Sequence, residues 1–80
     1  MQTTNSTKDR LENCFRLVFP DLRIPVEQAS TETVPEWDSV AAITLTNVIE
    51  EEFGFEIDFE ALAELDSFEK VLAYVQKQVG

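Results

Sequence analysis

Apolar residues recur at helical spacing near both ends of this chain, and that periodicity limits the folds it can adopt more than any other feature. Near the amino end, five apolar residues lie at positions i, i+3, i+4, i+7 and i+8: Leu11, Cys14, Phe15, Val18 and Phe19. A second set lies near the other end, at Phe68, Val71, Leu72, Val75 and Val79. Such spacing places the side chains on one face of a helix, and no segment alternates as a strand would. The sequence therefore predicts an all-α fold.

Polar residues and a proline predict where the first helix begins and ends. Residues 1–7 are polar and are expected to be loose, and the helix is expected to begin with the first apolar set. Pro20 ends it, because the residue before a proline is pushed out of the helical region. Residues 21–37 contain two prolines and no sustained period. They are expected to form a long loop of the kind that often has a function.

A second helix is predicted to begin at Asp38 and Ser39, because either side chain can accept hydrogen bonds from the unpaired amides of a first turn. Apolar residues continue the helical period as far as Phe53. Gly54 then supplies a residue that readily adopts the left-handed conformation in which many helices end.

Two further caps predict a short third helix and a longer fourth one. Asp58 can cap a helix that runs to Leu65 and carries apolar residues at Phe59, Leu62 and Ala63. Asp66 and Glu69 have the spacing of a capping box at the start of the second apolar set. The expected architecture is a four-helix bundle of three main helices and one short third helix, in a single domain of residues 1–80.

The residue inventory argues against an enzyme. The chain has no histidine, which removes Ser-His and Cys-His pairs, histidine-based acid–base catalysis and most zinc sites. Its two glycines, Gly54 and Gly80, are too few for a glycine-rich phosphate loop. Cys14 has no partner for an internal disulfide, which favours a cytoplasmic location, and its place in the apolar set predicts a buried thiol. We therefore predict no catalytic residue and no metal ligand.

Acidic residues dominate the middle of the chain. The formal net charge is −10, and thirteen Asp and Glu residues without any Lys or Arg lie between Ile24 and Glu69. Such a surface disfavours nucleic acids and anionic lipids, and it favours a protein partner with a basic docking patch. No apolar run approaches the roughly 20 residues of a membrane span. We expect a monomer whose fold is weakened by charge repulsion at low salt.

The predicted second helix has two apolar faces. At about 100° per residue, Leu45 and Ile49 point to one side and are assigned to the core. Other apolar residues point nearly the opposite way. A helix buried over most of its circumference would explain this pattern, and so would a partner-binding strip with apolar residues in the middle and charge at its rim. The strip would consist of Val40, Ile43, Asn47, Glu50 and Glu51.

Two blocks of sequence resemble the acyl carrier protein family. The first is Glu-Trp-Asp-Ser-Val at residues 36–40, where the family has Asp-Ser-Leu at the start of its second helix. The second is Glu-Glu-Glu-Phe-Gly at residues 50–54, followed by Glu-Ile-Asp at residues 56–58. The resemblance runs without a gap from Trp37 to about Val75. A three-residue motif alone would be weak, but the chain length, the acidity and the helical pattern agree with it.

This resemblance implies a carrier protein. In the family the motif serine, here Ser39, receives 4′-phosphopantetheine from coenzyme A through a magnesium-dependent phosphopantetheinyl transferase. The arm then carries acyl intermediates as thioesters, for example in lipid or polyketide biosynthesis, and presents them to acyl-loading, acyl-transfer or synthase enzymes with basic docking patches. Trp37, Asp38 and Val40 support the motif. Asp38 either caps the helix or helps a transferase-bound metal, and Trp37 is expected to pack the loop onto the bundle.

Several residues depart from the carriers that the resemblance associates with fatty acid synthesis. Val40 replaces the usual leucine, and Asn47 stands where those carriers usually have methionine. Ala41, Ala42 and Thr44 stand where those carriers commonly have acidic or polar residues, including a glutamate at the position of Thr44. These departures imply a specialised stand-alone carrier that serves a dedicated pathway.

Two alternatives stay open. Within the family, the chain would carry aminoacyl, peptidyl or D-alanyl groups, although peptidyl carriers typically have Gly-Gly where this chain has Glu36 and Trp37. Outside the family, the chain would be an acidic helical adaptor that binds a basic protein and is never modified.

Overall fold

The computed structural model describes residues 6–79, which contain four α-helices. They are α1 (Thr7–Val18), α2 (Ser39–Phe53), α3 (Phe59–Leu62) and α4 (Phe68–Val79). These residues contain no β-strand, so the prediction of an all-α bundle with a short third helix is confirmed. None of the four helices is long and apolar enough to cross a membrane.

Helix α1 begins earlier than its apolar residues. The Ser6 side chain caps the helix by accepting a hydrogen bond from the Asp9 amide at 3.1 Å. Ser6 and Thr7, which belong to the segment expected to be loose, are thus the cap and the first residue of α1, while residues 1–5 lie outside the described residues. The helix ends shortly before Pro20, as predicted.

The long loop between α1 and α2 is packed against the bundle. It contains a single-turn 3₁₀ helix at Val26–Gln28. The Phe68 amide donates to the Ala29 carbonyl at 2.9 Å, and the Thr31 amide donates to the Asp66 carbonyl at 2.9 Å. Four apolar side chains of the loop are buried, namely Val26, Ala29, Val34 and Trp37. The loop thereby fixes both the start of α4 and the approach to α2.

The third helix and the cap of the fourth differ from the predictions. Helix α3 is a single turn that ends before Leu65, and turns follow it. Asp58 precedes α3, but its side chain makes no capping hydrogen bond. The cap of α4 is Ser67, whose Oγ accepts a hydrogen bond from the Lys70 amide at 3.2 Å. Asp66, the predicted cap, instead pairs with the Lys70 ammonium at 3.2 Å.

An aromatic cluster of Phe15, Phe19, Trp37 and Phe68 forms the centre of the core. The Phe15 ring meets Trp37 edge-on at 5.3 Å and Phe68 at 5.1 Å between ring centroids. Phe19 lies 5.8 Å from Trp37. Edge-to-face pairs add about 0.5–1.5 kcal/mol each beyond the effect of burial. The cluster therefore holds together α1, the long loop and α4.

Cys14 lies in the same core, as its place among the apolar residues of α1 predicts. Its side chain is buried, and desolvation by burial raises the pKa of the thiol to about 11. The thiol is therefore protonated at neutral pH and is a poor nucleophile. Cys14 acts as a small buried hydrophobe.

Arg10 joins α1 to the end of α2. Its guanidinium donates to Glu52 Oε2 at 2.7 Å and to the Glu52 carbonyl at 2.7 Å. It also lies 4.6 Å above the centre of the Phe53 ring. A cation is favourable here because the last turn of a helix has unpaired carbonyls and the negative end of the dipole. Arg10 thus offsets part of the negative charge at the end of α2.

Replacing Arg10 by alanine is expected to lower the free energy of unfolding by about 1–2 kcal/mol, because two charge-assisted hydrogen bonds and a cation–π contact are lost at a partly exposed site. Urea denaturation followed by circular dichroism measures the change. The matched control is Arg16→Ala on the exposed side of the same helix, for which a change below about 0.5 kcal/mol is expected. Equal effects of the two substitutions would contradict the role assigned to Arg10.

Few of the acidic residues are paired. Besides the Arg10 pair, the ion pairs within residues 6–79 join Lys8 to Glu12 and Glu27, and Lys70 to Asp66. The hydrogen bond between Lys8 and Glu27 lowers the pKa of Glu27 and raises that of Lys8. No cluster of three or more acidic or cysteine side chains in this part of the chain is placed to bind a metal ion. Most of the negative charge is therefore balanced by solvent ions alone.

Salt is expected to stabilise this fold. Raising the NaCl concentration from about 0.01 M to about 0.3 M should raise the melting temperature by about 5 °C or more, because repulsion among the carboxylates is then screened. Thermal unfolding followed by circular dichroism measures the shift. Magnesium chloride at equal ionic strength separates screening from carboxylate binding, since only binding adds a further shift. A melting temperature that does not respond to ionic strength would count against charge repulsion as a destabilising force.

Candidate functional site at the start of α2

The approach to α2 is held by Trp37. Its indole is buried against Phe15 and Phe19 in the aromatic cluster, and its amide donates to the Val34 carbonyl at 3.0 Å. The predicted packing role of Trp37 is confirmed. Because the indole is fixed in the core, the residues that follow it reach the surface at a defined point.

Asp38 is the residue that caps α2. Its backbone is extended, and its Oδ1 accepts a hydrogen bond from the Ala41 amide at 2.9 Å. The sequence allowed either Asp38 or Ser39 as the cap, and the geometry selects Asp38. Ser39 is then the first residue of the helix, and it is exposed. The cap does not need the Ser39 hydroxyl.

The amino end of α2 is a favourable place for an anionic group. The first amides of a helix have no carbonyl partner within the helix, and the dipole gives this end a partial positive charge. Apart from the Asp38 carboxylate at the cap, the first turn of α2 carries no acidic side chain, although the whole chain has a net charge of −10. A phosphate bonded to Ser39 would therefore meet backbone donors from the helix.

The two apolar faces of α2 differ in burial, which decides between the two interpretations that the sequence left open. Leu45 and Ile49 are in the core. On the opposite face, Val40 is 72% exposed and Ile43 is 49% exposed. Helix α2 is therefore not buried over most of its circumference, and its second apolar face is open to a partner.

The polar residues of the predicted strip divide into two kinds. Asn47 and Glu51 are exposed. Glu50 is partly buried, and its Oε2 accepts a hydrogen bond from the Ile57 amide at 2.7 Å. Glu50 therefore holds the segment after α2 against the helix and is not the free rim carboxylate that the sequence predicts. Ile57 lies beyond the end of α2, so the helical period does not extend to it and no sequence pattern points to this bond.

A groove lies between α2 and α3 beside the predicted strip. It encloses about 220 Å³ and is lined by Ile43, Thr46, Asn47, Glu50, Ile57, Asp58, Phe59 and Leu62. Phe59 stands at this groove with 81% of its surface exposed. A helix of one turn has too few residues for an apolar period to show which of its faces is buried. The sequence therefore gives no sign that Phe59 lies outside the core.

The interior of the bundle offers little free space. The cavity among the core residues measures about 10 Å³, which is about the minimum for one water molecule. Its walls include Trp37, Leu45 and Leu62. An acyl chain can enter the core only if the helices move apart.

Comparison with known proteins identifies the family. Residues 36–75 match the sequence model of the phosphopantetheine attachment site, and this match covers half of the chain. The chain belongs to this family. The resemblance to acyl carrier proteins is therefore confirmed. Among curated proteins and solved structures there is no significant match.

The family assigns a cofactor to this carrier. Its domains are attachment sites for covalent 4′-phosphopantetheine, and they generally act as carriers without catalysis of their own. The start of α2 fits that group, because it combines an exposed hydroxyl, helix amides and a first turn without acidic side chains. A carrier of this family interacts with a phosphopantetheinyl transferase and with the enzymes of its pathway.

Proposed function

We propose that Ser39 is the attachment residue for 4′-phosphopantetheine and that the chain carries acyl groups on this arm. The observation that carries the proposal is the position of Ser39 as the exposed first residue of α2, within the family match. A helix cap accepts a hydrogen bond from a backbone amide of the first turn. Asp38 supplies the cap here, so Ser39 can be modified without loss of that bond.

The attachment step exchanges one phosphate linkage for another. Ser39 Oγ forms a bond to the phosphorus next to pantetheine in coenzyme A, the pyrophosphate bond breaks, adenosine 3′,5′-bisphosphate leaves and the hydroxyl proton is lost. The chain has no histidine to accept that proton, so the transferase supplies the base and the magnesium ion. Asp38 holds the helix start through Oδ1. Once attached, the arm supplies a thiol that holds acyl groups as thioesters.

The surface near Ser39 favours the assignment of this chain as a specialised acyl carrier of a dedicated pathway over its assignment as a carrier of fatty acid synthesis. Val40 and Ile43 are exposed, and Thr44 is exposed where the resemblance associates a glutamate with those carriers. A less acidic surface suits enzymes of a dedicated pathway, such as polyketide synthesis, nonribosomal peptide synthesis, or acylation of lipids or surface saccharides. Good turnover by fatty acid synthase components with poor turnover by the enzymes of such a pathway would contradict this assignment.

Loading in vitro tests the proposed function. The apo chain is incubated with coenzyme A, magnesium and a broad-specificity phosphopantetheinyl transferase, and its intact mass is measured. We expect the mass to increase by one 4′-phosphopantetheine group. An adaptor that binds a basic protein without being modified would keep its mass under the same conditions.

A further inference from the structure

The groove between α2 and α3 has an exposed apolar rim that the fold does not use. Phe59 is 81% exposed and Ile43 49%, and both line the groove. Val40, which is 72% exposed, lies three residues before Ile43 and is therefore its neighbour on the helix surface. Single exposed apolar residues are ordinary, but large ones gathered around one groove mark an interaction surface.

This apolar rim is continuous with Ser39. Val40 follows Ser39 directly, and Ile43 lies about 6 Å further along the helix axis at 1.5 Å per residue. A protein that brings its active site to the Ser39 hydroxyl must therefore cover Val40 and Ile43 as well. Phe59 lines the same groove as Ile43, so a protein that covers Ile43 comes up against the rim to which Phe59 belongs.

The charges around the groove define the chemistry of the partner. Asp58 lines the groove, and Glu51 and Glu60 are exposed on the two helices that form it. No Lys or Arg occurs between Ile24 and Glu69. A complementary surface has an apolar recess with lysine or arginine residues around it.

We propose that Phe59 is an anchor residue through which the phosphopantetheinyl transferase binds the carrier, an inference that rests on the proposed function of Ser39. The Phe59 ring enters an apolar recess of the enzyme while basic residues around that recess face the carboxylates beside the groove. Aromatic side chains near the centre of an interface commonly provide a large share of its binding energy. The short helix α3 holds this ring opposite Ile43.

The kinetics of loading test the anchor separately from the attachment site. With coenzyme A, magnesium and a broad-specificity transferase, Phe59→Ser is expected to raise the KM for the apo carrier at least about tenfold while kcat changes less than about twofold. Phe59→Leu keeps an apolar side chain and should recover part of that loss. Leu17→Ser is the matched control, because Leu17 is 73% exposed on α1 and does not line the groove. Its KM should match that of the wild type.

The outcomes separate the anchor from the proposed function. Phe59→Ser should keep the wild-type melting temperature, since the side chain it removes is exposed. A wild-type KM in Phe59→Ser overturns the anchor and leaves the attachment at Ser39 intact. The apo carrier has neither the 4′-phosphopantetheine arm nor an acyl group. If the groove served only to cover those groups, Phe59→Ser would leave the KM for the apo carrier unchanged, and the anchor would be overturned. A wild-type chain that is never loaded overturns both proposals.

Discussion

Replacing Ser39 by alanine is expected to abolish loading with 4′-phosphopantetheine. The attachment needs one hydroxyl oxygen, and alanine removes it without disturbing the cap, which Asp38 provides. Alanine is also a good helix former, and the position is exposed, so the fold should be unchanged. Intact mass after incubation with coenzyme A, magnesium and the transferase should equal that of the untreated variant. Circular dichroism should give the wild-type spectrum.

The matched control for this substitution is Thr44→Ala. Thr44 is a second exposed hydroxyl on α2, and its Oγ1 donates to the Val40 carbonyl at 3.2 Å. We expect Thr44→Ala to be loaded as the wild type is. Loading of Ser39→Ala would show that another residue accepts the arm. Failure of both variants would show that the assay responds to any change in α2.

Replacing Phe15 by alanine is expected to unfold most of the chains at 25 °C. The ring is fully buried and packs against Phe19, Trp37 and Phe68, and truncating such a side chain costs about 3–5 kcal/mol. A domain of this size has only about 3–5 kcal/mol of core stabilisation to lose. Trp37 is the single tryptophan, so unfolding should shift its fluorescence to the red as the helical circular dichroism signal falls.

The same truncation at Phe59 is the control for Phe15. Phe59→Ala removes identical atoms from a side chain that is 81% exposed, and it should change the free energy of unfolding by less than about 0.5 kcal/mol. A Phe15→Ala variant that melts cooperatively at the wild-type temperature would contradict the central place of the aromatic cluster.

The attachment region could be predicted because its determinants are local. The cap at Asp38 and the left-handed Gly54 lie directly at the ends of α2, and capping depends on neighbouring residues. The period within α2 separates the buried Leu45 from the exposed Ile43 without reference to the rest of the fold. The sequence allows either Asp38 or Ser39 as the cap, and the structure assigns that task to Asp38.

The features that the sequence did not reveal depend on contacts between distant segments. Arg10 reaches Glu52 across 42 positions, and the Glu50 carboxylate binds a backbone amide beyond the helix end. The end of α3 is set by packing, since a single turn has little helical stability of its own. For the same reason, Phe59 in that turn belongs to an apolar pattern yet lies at the surface.

The mass of the chain isolated from the cells that make it tests the central claim most directly. Fragmentation of the purified chain should find one 4′-phosphopantetheine group, with or without an acyl group, on the peptide that contains Ser39. A bare Ser39 while the pathway of the carrier is running, or the same group on another hydroxyl, would contradict the claim.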